Sequence, residues 1–263
     1  MVRLVGTLIV LALLVLSGCG GEDEDTPPAH RAAPKAPFML DFESMPTVGD
    51  DVSTVSNAGS ADVQVEVRST GGATVEAVEG PDGGHAVRFP AYTGAAGAPA
   101  AVLVATEQSG EALDPGADDF SFGASFKLDE KSSGSEADNG DNLVQRGTFD
   151  SPGQLKIQLD HDVPSCRVKG ADGEAFVKAD GPVDPGAWYS VTCERTGSEL
   201  ELTVKAYDDG AGGGSWHISA PTGNITMDDL PLTIGGKTGP DGTPVASPDQ
   251  FNGAVDDIYF RVG

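Results

Sequence analysis

Basic side chains are scarce in this chain. Its 263 residues hold 16 Lys and Arg against 41 Asp and Glu, a formal net charge of −25. That balance argues against nucleic acid as a partner, because phosphate contacts need clustered Lys and Arg. It also argues against docking on an anionic bilayer through a basic patch. Charged residues are only 22%, too few for a salt-bridged helical protein. Long apolar runs are missing too: Leu4 to Leu16 is 13 residues, and a membrane helix needs about 20. Catalytic signatures are equally thin. There is no Gly-x-Ser-x-Gly elbow and no His-x-x-x-His pair, and Gly210 to Gly214 lacks the Lys-Ser/Thr of a phosphate loop. Three cysteines and the scattered His30, His85, His161 and His217 show no zinc spacing. Glycine and proline, at 36 and 18 residues, are abundant for a helical fold.

What is present begins with an address. Arg3 precedes the apolar run, which closes in Leu16-Ser17-Gly18-Cys19. The length is that of a signal peptide. The ending resembles the bacterial lipoprotein box, whose cysteine accepts a diacylglyceryl group. The resemblance implies a signal peptide over residues 1–18, lipidation at Cys19, and an exported protein on the extracellular or periplasmic face of the cell membrane. Residues 19–37 carry Glu22-Asp23-Glu24-Asp25 and then a Pro/Ala stretch. Such a segment buries no core and is expected to be a disordered tether. With Cys19 lipidated, Cys166 and Cys193 remain. In an oxidising compartment they are expected to form a disulfide, contributing about 3.6 kcal/mol by loop entropy.

From residue 38 onward the pattern is β. Phe38, Leu40 and Phe42 alternate with polar or flexible neighbours, as do Val63, Val65 and Val67. The same period of two runs through Phe120–Leu128, Leu155–Leu159 and Leu200–Ala206. Each strand therefore buries one face and wets the other, as in an antiparallel sandwich. Turn signals such as Pro81-Asp82-Gly83-Gly84 and Asp184-Pro185-Gly186 separate the strands. About a dozen strands are expected in one large domain over 38–263.

Six segments in the second half resemble, in order, laminin-G-like domains of the concanavalin A-like lectin/glucanase superfamily. They are Asp119–Asp129, Asn142–Gly147, Gly153–Asp160, Pro185–Val204, Leu232-Thr233-Ile234-Gly235-Gly236 and Phe251–Ile258. The resemblance implies an all-β, concanavalin A-like jelly roll of two curved antiparallel sheets. It also implies that Trp188 is buried. The family often has His at the next position, where this chain has Tyr189. A structural calcium often lies between the family's first and last strands. Here Asp41 and Glu43 on the wet face of the first strand and Asp256 and Asp257 on the last are the expected ligands, and oxygen-only donors suit that hard cation.

The glucanases of the superfamily raise the alternative of an enzyme. Their Glu-x-Asp-x-x-Glu strand, which sets two carboxylates about 5–5.5 Å apart for retention, is absent. The nearest approach is Glu136, Asp138 and Asp141 in a polar loop. No catalytic residue is therefore assigned. The expectation is a non-catalytic module that binds a glycan or a surface protein, with Trp216 beside the Gly-rich run and Tyr92 between Pro90 and Gly94 as ligand-facing aromatics. A glycoside hydrolase with an atypical site and a passive surface spacer are the alternatives. The net charge favours a neutral or cationic ligand.

Overall fold

The computed structural model describes residues 35–95, 97–136, 140–208, 212–227 and 230–263. Residues 1–18, where a signal peptide is expected, Cys19, most of the expected tether and Asp138 lie outside the described residues. Among the described residues no helix is long and apolar enough to cross a membrane.

Among the described residues seventeen strands and one short helix follow each other. The first seven strands are β1 (Phe38–Leu40), β2 (Asp51–Val52), β3 (Thr54–Val55), β4 (Val63–Thr70), β5 (Val75–Glu79), β6 (His85–Arg88) and β7 (Ala100–Glu107). Next come β8 (Phe120–Leu128), α1 (Ser133–Glu136), β9 (Asp141–Arg146), β10 (Gln154–Asp160), β11 (Val163–Gly170) and β12 (Gly173–Lys178). The last are β13 (Trp188–Thr196), β14 (Glu199–Ala206), β15 (Gly213–Ser219), β16 (Leu232–Ile234) and β17 (Gly253–Val262). The excess over a dozen comes from pieces of two to four residues, too short to show alternation. All ladders between these strands are antiparallel.

The strands make two sheets. The first runs β15-β14-β13-β8-β17-β6-β5-β2, and β1 shares an edge of β17 with β6. The second runs β12-β11-β10-β9-β16-β7-β4-β3. Alternation explains the core between them. On β10, Leu155, Ile157 and Leu159 are fully buried, while Lys156 and Gln158 point away. A ring cluster of Phe120, Phe122 and Phe260 packs at 6.0–6.1 Å on the first sheet. Cys166 on β11 and Cys193 on β13 are bonded, with Cα atoms 6.0 Å apart. The disulfide thus ties one sheet to the other through the core.

The Leu-x-Ile-Gly-Gly segment has a packing reason. Gly235 sits at φ +86°, and a Cβ there would fall 2.4 Å from the Phe89 ring. Only glycine satisfies both demands. The loop that follows is thereby turned back over the second sheet.

Trp188 does not take the buried position that the resemblance implied. Trp188 is half-buried beneath the Lys127 ammonium, 5.1 Å from its ring centre. Tyr189 is the core residue, 2% exposed and stacked on Phe126 at 5.8 Å. The backbone N–H of Asp184 donates to its hydroxyl at 3.1 Å. Strand phase decides this, because Tyr189 faces Phe126 across the ladder while Trp188 faces Lys127.

Candidate functional site

The four acidic residues expected to bind calcium are brought to one end of the first sheet. Leu40 pairs with Ile258, which sets Asp41 beside the bulge of β17. Asp257 sits there at φ +49°, and the Asp256 carboxylate accepts its backbone N–H at 2.7 Å. Asp256 is 2% exposed. Burial, then the neighbouring charges of Asp257, Glu43 and Asp41, push its pKa from 3.8 up to about 8. Two glycines make room for these carboxyls. A Cβ at Gly84 would fall 2.2 Å from a Glu43 oxygen, and one at Gly80 would lie 3.2 Å from an Asp256 oxygen. The donors suit a hard cation. Yet among the described residues no three His, Cys, Asp or Glu side chains converge as a metal-ligating group.

The two expected aromatics line separate cavities. Trp216, on edge strand β15, folds over Gly214 and packs against the core. With Tyr189, Val183 and Pro164 it lines a cavity of about 190 Å³. Tyr92 lines another of about 220 Å³, where the 91–100 segment, Ser133 and residues 246–252 meet. Asn252 holds that second cavity together. Its amide donates to the Pro90 carbonyl at 2.7 Å and its oxygen accepts the Ser133 N–H at 2.7 Å. Gln250 fastens the same loop, accepting from Ala101 N–H and donating to the Gly235 carbonyl.

The acidic loop does not supply a catalytic carboxylate at Asp141. That side chain is fully buried and accepts the Gly134 N–H at 3.1 Å. Burial pushes its pKa up to about 7. A different pair comes closer to a glycosidase arrangement. Glu107 and Asp114 reach the same Arg146 nitrogen, at 3.7 and 2.7 Å. All three line a groove of about 390 Å³. Both carboxylates are, however, tied to the Arg146 guanidinium.

The outer face of the second sheet was missed by the sequence reading. One register row crosses it, through Phe176, Arg167, Lys156, Gln145, Thr233, Val104 and Glu66 on successive strands from β12 to β4. The middle of the row is covered: Gln145, Thr233 and Val104 are 4–6% exposed. The 236–250 loop lies over this part. A Cβ at Gly236 would fall 2.9 Å from Val102, and one at Gly242 lies 3.8 Å from Val104. The β10–β12 part is bare. Its floor is Lys156, Arg167 and Phe176, and Lys237 and Asp249 of the covering loop stand at its boundary, paired at 2.8 Å. Phe176 is 37% exposed and Phe149, on the β9–β10 connection, 74%. A cation lies over each ring: Arg167 over Phe176 at 5.2 Å and Lys169 over Phe149 at 5.7 Å. The signal was available, since Lys156, Arg167, Lys169 and Lys178 all fall on outward phases of neighbouring strands.

Two antiparallel sheets packed in this order define a jelly-roll sandwich of the concanavalin A-like kind. No family model and no curated protein matches the chain. Solved structures do. Domain 4 of AbnA, a GH43 extracellular arabinanase from Geobacillus stearothermophilus, solved in complex with arabinotriose, superposes with a TM-score of 0.55 at 11% identity, over 88% of this chain and 94% of that one. The binding domain of Paraclostridial Mosquitocidal Protein 1 superposes at 0.56 and 15%, over 87% of this chain and 49% of that one. The LG1-3 region of the laminin alpha2 chain gives 0.44 at 21%, over 56% and 29%. The chain thus spans under a third of the laminin fragment and about half of the toxin binding domain. At these identities the likeness establishes the fold and no more.

Proposed function

We propose that this chain is a non-catalytic, envelope-anchored module that binds a polysaccharide on the bare half of its second sheet. The observation that carries the reading is the division of that face. A loop fixed by Gln250 covers β7 and β16 and stops at Lys156, leaving a stepped platform with two exposed phenylalanine rings. Contiguous exposed apolar surface marks an interaction site. The arabinanase domain, with the same fold, was solved with arabinotriose, which supports a sugar as the ligand class. Export is supported by the inter-sheet disulfide. The lipid at Cys19 supplies the anchor in this proposal.

Calcium belongs to the proposal as a structural ion. Asp41, Glu43, Asp256 and Asp257 do not converge as a ready ligand set, so binding there would require these carboxyls to gather around the ion. Measured melting temperature should rise in calcium over chelator, because a ligand of the folded state stabilises it. No difference would remove the metal and leave the module.

The test of function is a polysaccharide array probed with the full-length protein. Binding to at least one polysaccharide, without release of reducing sugar, is expected. Release of reducing sugar that is lost in Glu107→Gln would instead establish the enzyme reading.

A further inference from the structure

We infer that the bare half of the second sheet selects an acidic polysaccharide, with Lys156, Lys169 and Lys178, which no carboxylate pairs, attracting sugar carboxylates and Phe176 supporting an adjoining ring. This rests on the glycan-binding reading and narrows its substrate class.

The argument is one of charge distribution. Five of the chain's 16 cationic side chains gather at this face: Lys156, Arg167, Lys169, Lys178 and, from the loop, Lys237. The carboxylates nearby are already engaged. Glu174 pairs with Arg167 and Asp249 with Lys237, which neutralises those two cations as well, and Asp160 shares a hydrogen bond with His161, each at 2.8 Å. Lys156, Lys169 and Lys178 have no carboxylate within ion-pair distance among the described residues. In a protein of net charge −25, a concentration of positive charge of this kind runs against the composition.

Lys156 is the centre of the arrangement. It lies on the row between Arg167 and Gln145, with Lys237 nearby. Burial lowers its pKa to about 8; Asp249 and Asp160 oppose the fall, and Lys237 and Arg167 add to it. An anion placed against this ammonium would relieve both costs, so the site is poised for a negative group rather than a neutral hydroxyl. Phe176, level with Arg167 on the next strand, offers an apolar surface for the face of the same sugar. The net charge favoured a neutral or cationic ligand, but long-range repulsion is screened beyond about 8 Å at physiological salt, and the local field governs a bound carboxylate.

The probe is polygalacturonate, with dextran as its neutral counterpart and single-stranded DNA as a generic polyanion. Affinity electrophoresis of the full-length protein reads the retardation. Polygalacturonate is expected to retard it, dextran and DNA far less, with the effect lost in high salt. Lys156→Gln should weaken retardation about tenfold, the value of one charge-assisted contact. Because Lys156 is half-buried, the exposed double variant Lys169→Gln/Lys178→Gln serves as a second probe and should weaken it as well. Lys205→Gln, on the first sheet, should leave it unchanged. Equal retardation by dextran would overturn the acidic selectivity and keep the glycan-binding reading. Equal retardation by DNA would overturn it in favour of generic polyanion capture. Retardation by none of the three overturns this inference. The array then decides the broader reading.

Discussion

The two charged ends of this sandwich use the same device with opposite sign. At β1 and β17 carboxylates crowd around a bulge, and Asp256 is buried among them. At β10–β12 cations crowd on a flat ladder, and Lys156 is half-buried among them. In both places burial and like charges disfavour the ionised form. The difference lies in what can reach the group. Asp256 is 2% exposed behind Gly80 and Gly84, so a small cation is the largest ligand it could take. The basic face is open beside two exposed rings, so a polymer can lie on it. Sheet geometry accounts for this. A bulge re-aims the side chains of β17 at Asp256 and Asp257, whereas the β10–β11 and β11–β12 ladders run without a shift and keep Lys156, Arg167 and Phe176 on one face.

Removing the link between the two sheets gives the largest expected effect. Cys193→Ala should lower unfolding free energy by about 3.6 kcal/mol, measured by denaturant titration. A loss under about 1 kcal/mol would mean the sheets hold together without the Cys166–Cys193 bond.

The acidic end should respond to pH. A carboxyl near 8 when folded and 3.8 when unfolded favours the folded state only while protonated. Stability should be greatest below about pH 4 for this group and fall as pH climbs towards 8, by on the order of 2 kcal/mol in chelator. Asp141, raised to about 7 by burial, adds a fall of the same sign over pH 4–7. Asp256→Asn should therefore raise the melting temperature at pH 8 and flatten the upper part of the profile. An unchanged profile would show that Asp256 ionises in the folded state as it does in water.

Asn252→Ala should cost about 1–2 kcal/mol, since it frees the Pro90 carbonyl and the Ser133 N–H together. Faster proteolysis within 91–100 would report the loosened clamp. If cleavage there matches that of the unmodified chain, the cavity beside Tyr92 is held by other contacts.

The smallest change in stability belongs to the basic face. Lys178→Gln should shift unfolding free energy by no more than about 0.5 kcal/mol, because Lys178 is exposed. A larger loss would mean the face is held together by its charges and is not a bare platform.

Much of the fold was legible because alternation is a local signal. Phe120–Leu128 and Glu199–Ala206 read as strands from their own residues. The short pieces Asp51–Val52 and Thr54–Val55 did not, since two residues carry no period. The acidic residues of the candidate cation site were legible from the resemblance, but their failure to converge depends on the bulge at Asp257, a backbone feature. Trp188 was misplaced because one step of register separates the buried from the wet face. The basic face was hidden by a bulk number: a net charge of −25 averages over the surface, and only the pairing of β10, β11 and β12 reveals that Lys156, Arg167 and Phe176 form one row.

The most direct test of the central claim is chemical-shift mapping of the isotope-labelled protein with the polysaccharide selected on the array. The account predicts perturbations confined to β10–β12, Phe149 and the Lys237–Asp249 boundary, with the Trp216 cavity and the Glu107–Arg146–Asp114 groove unmoved. Perturbations centred on either of those cavities, with the row through Phe176, Arg167 and Lys156 silent, would contradict it.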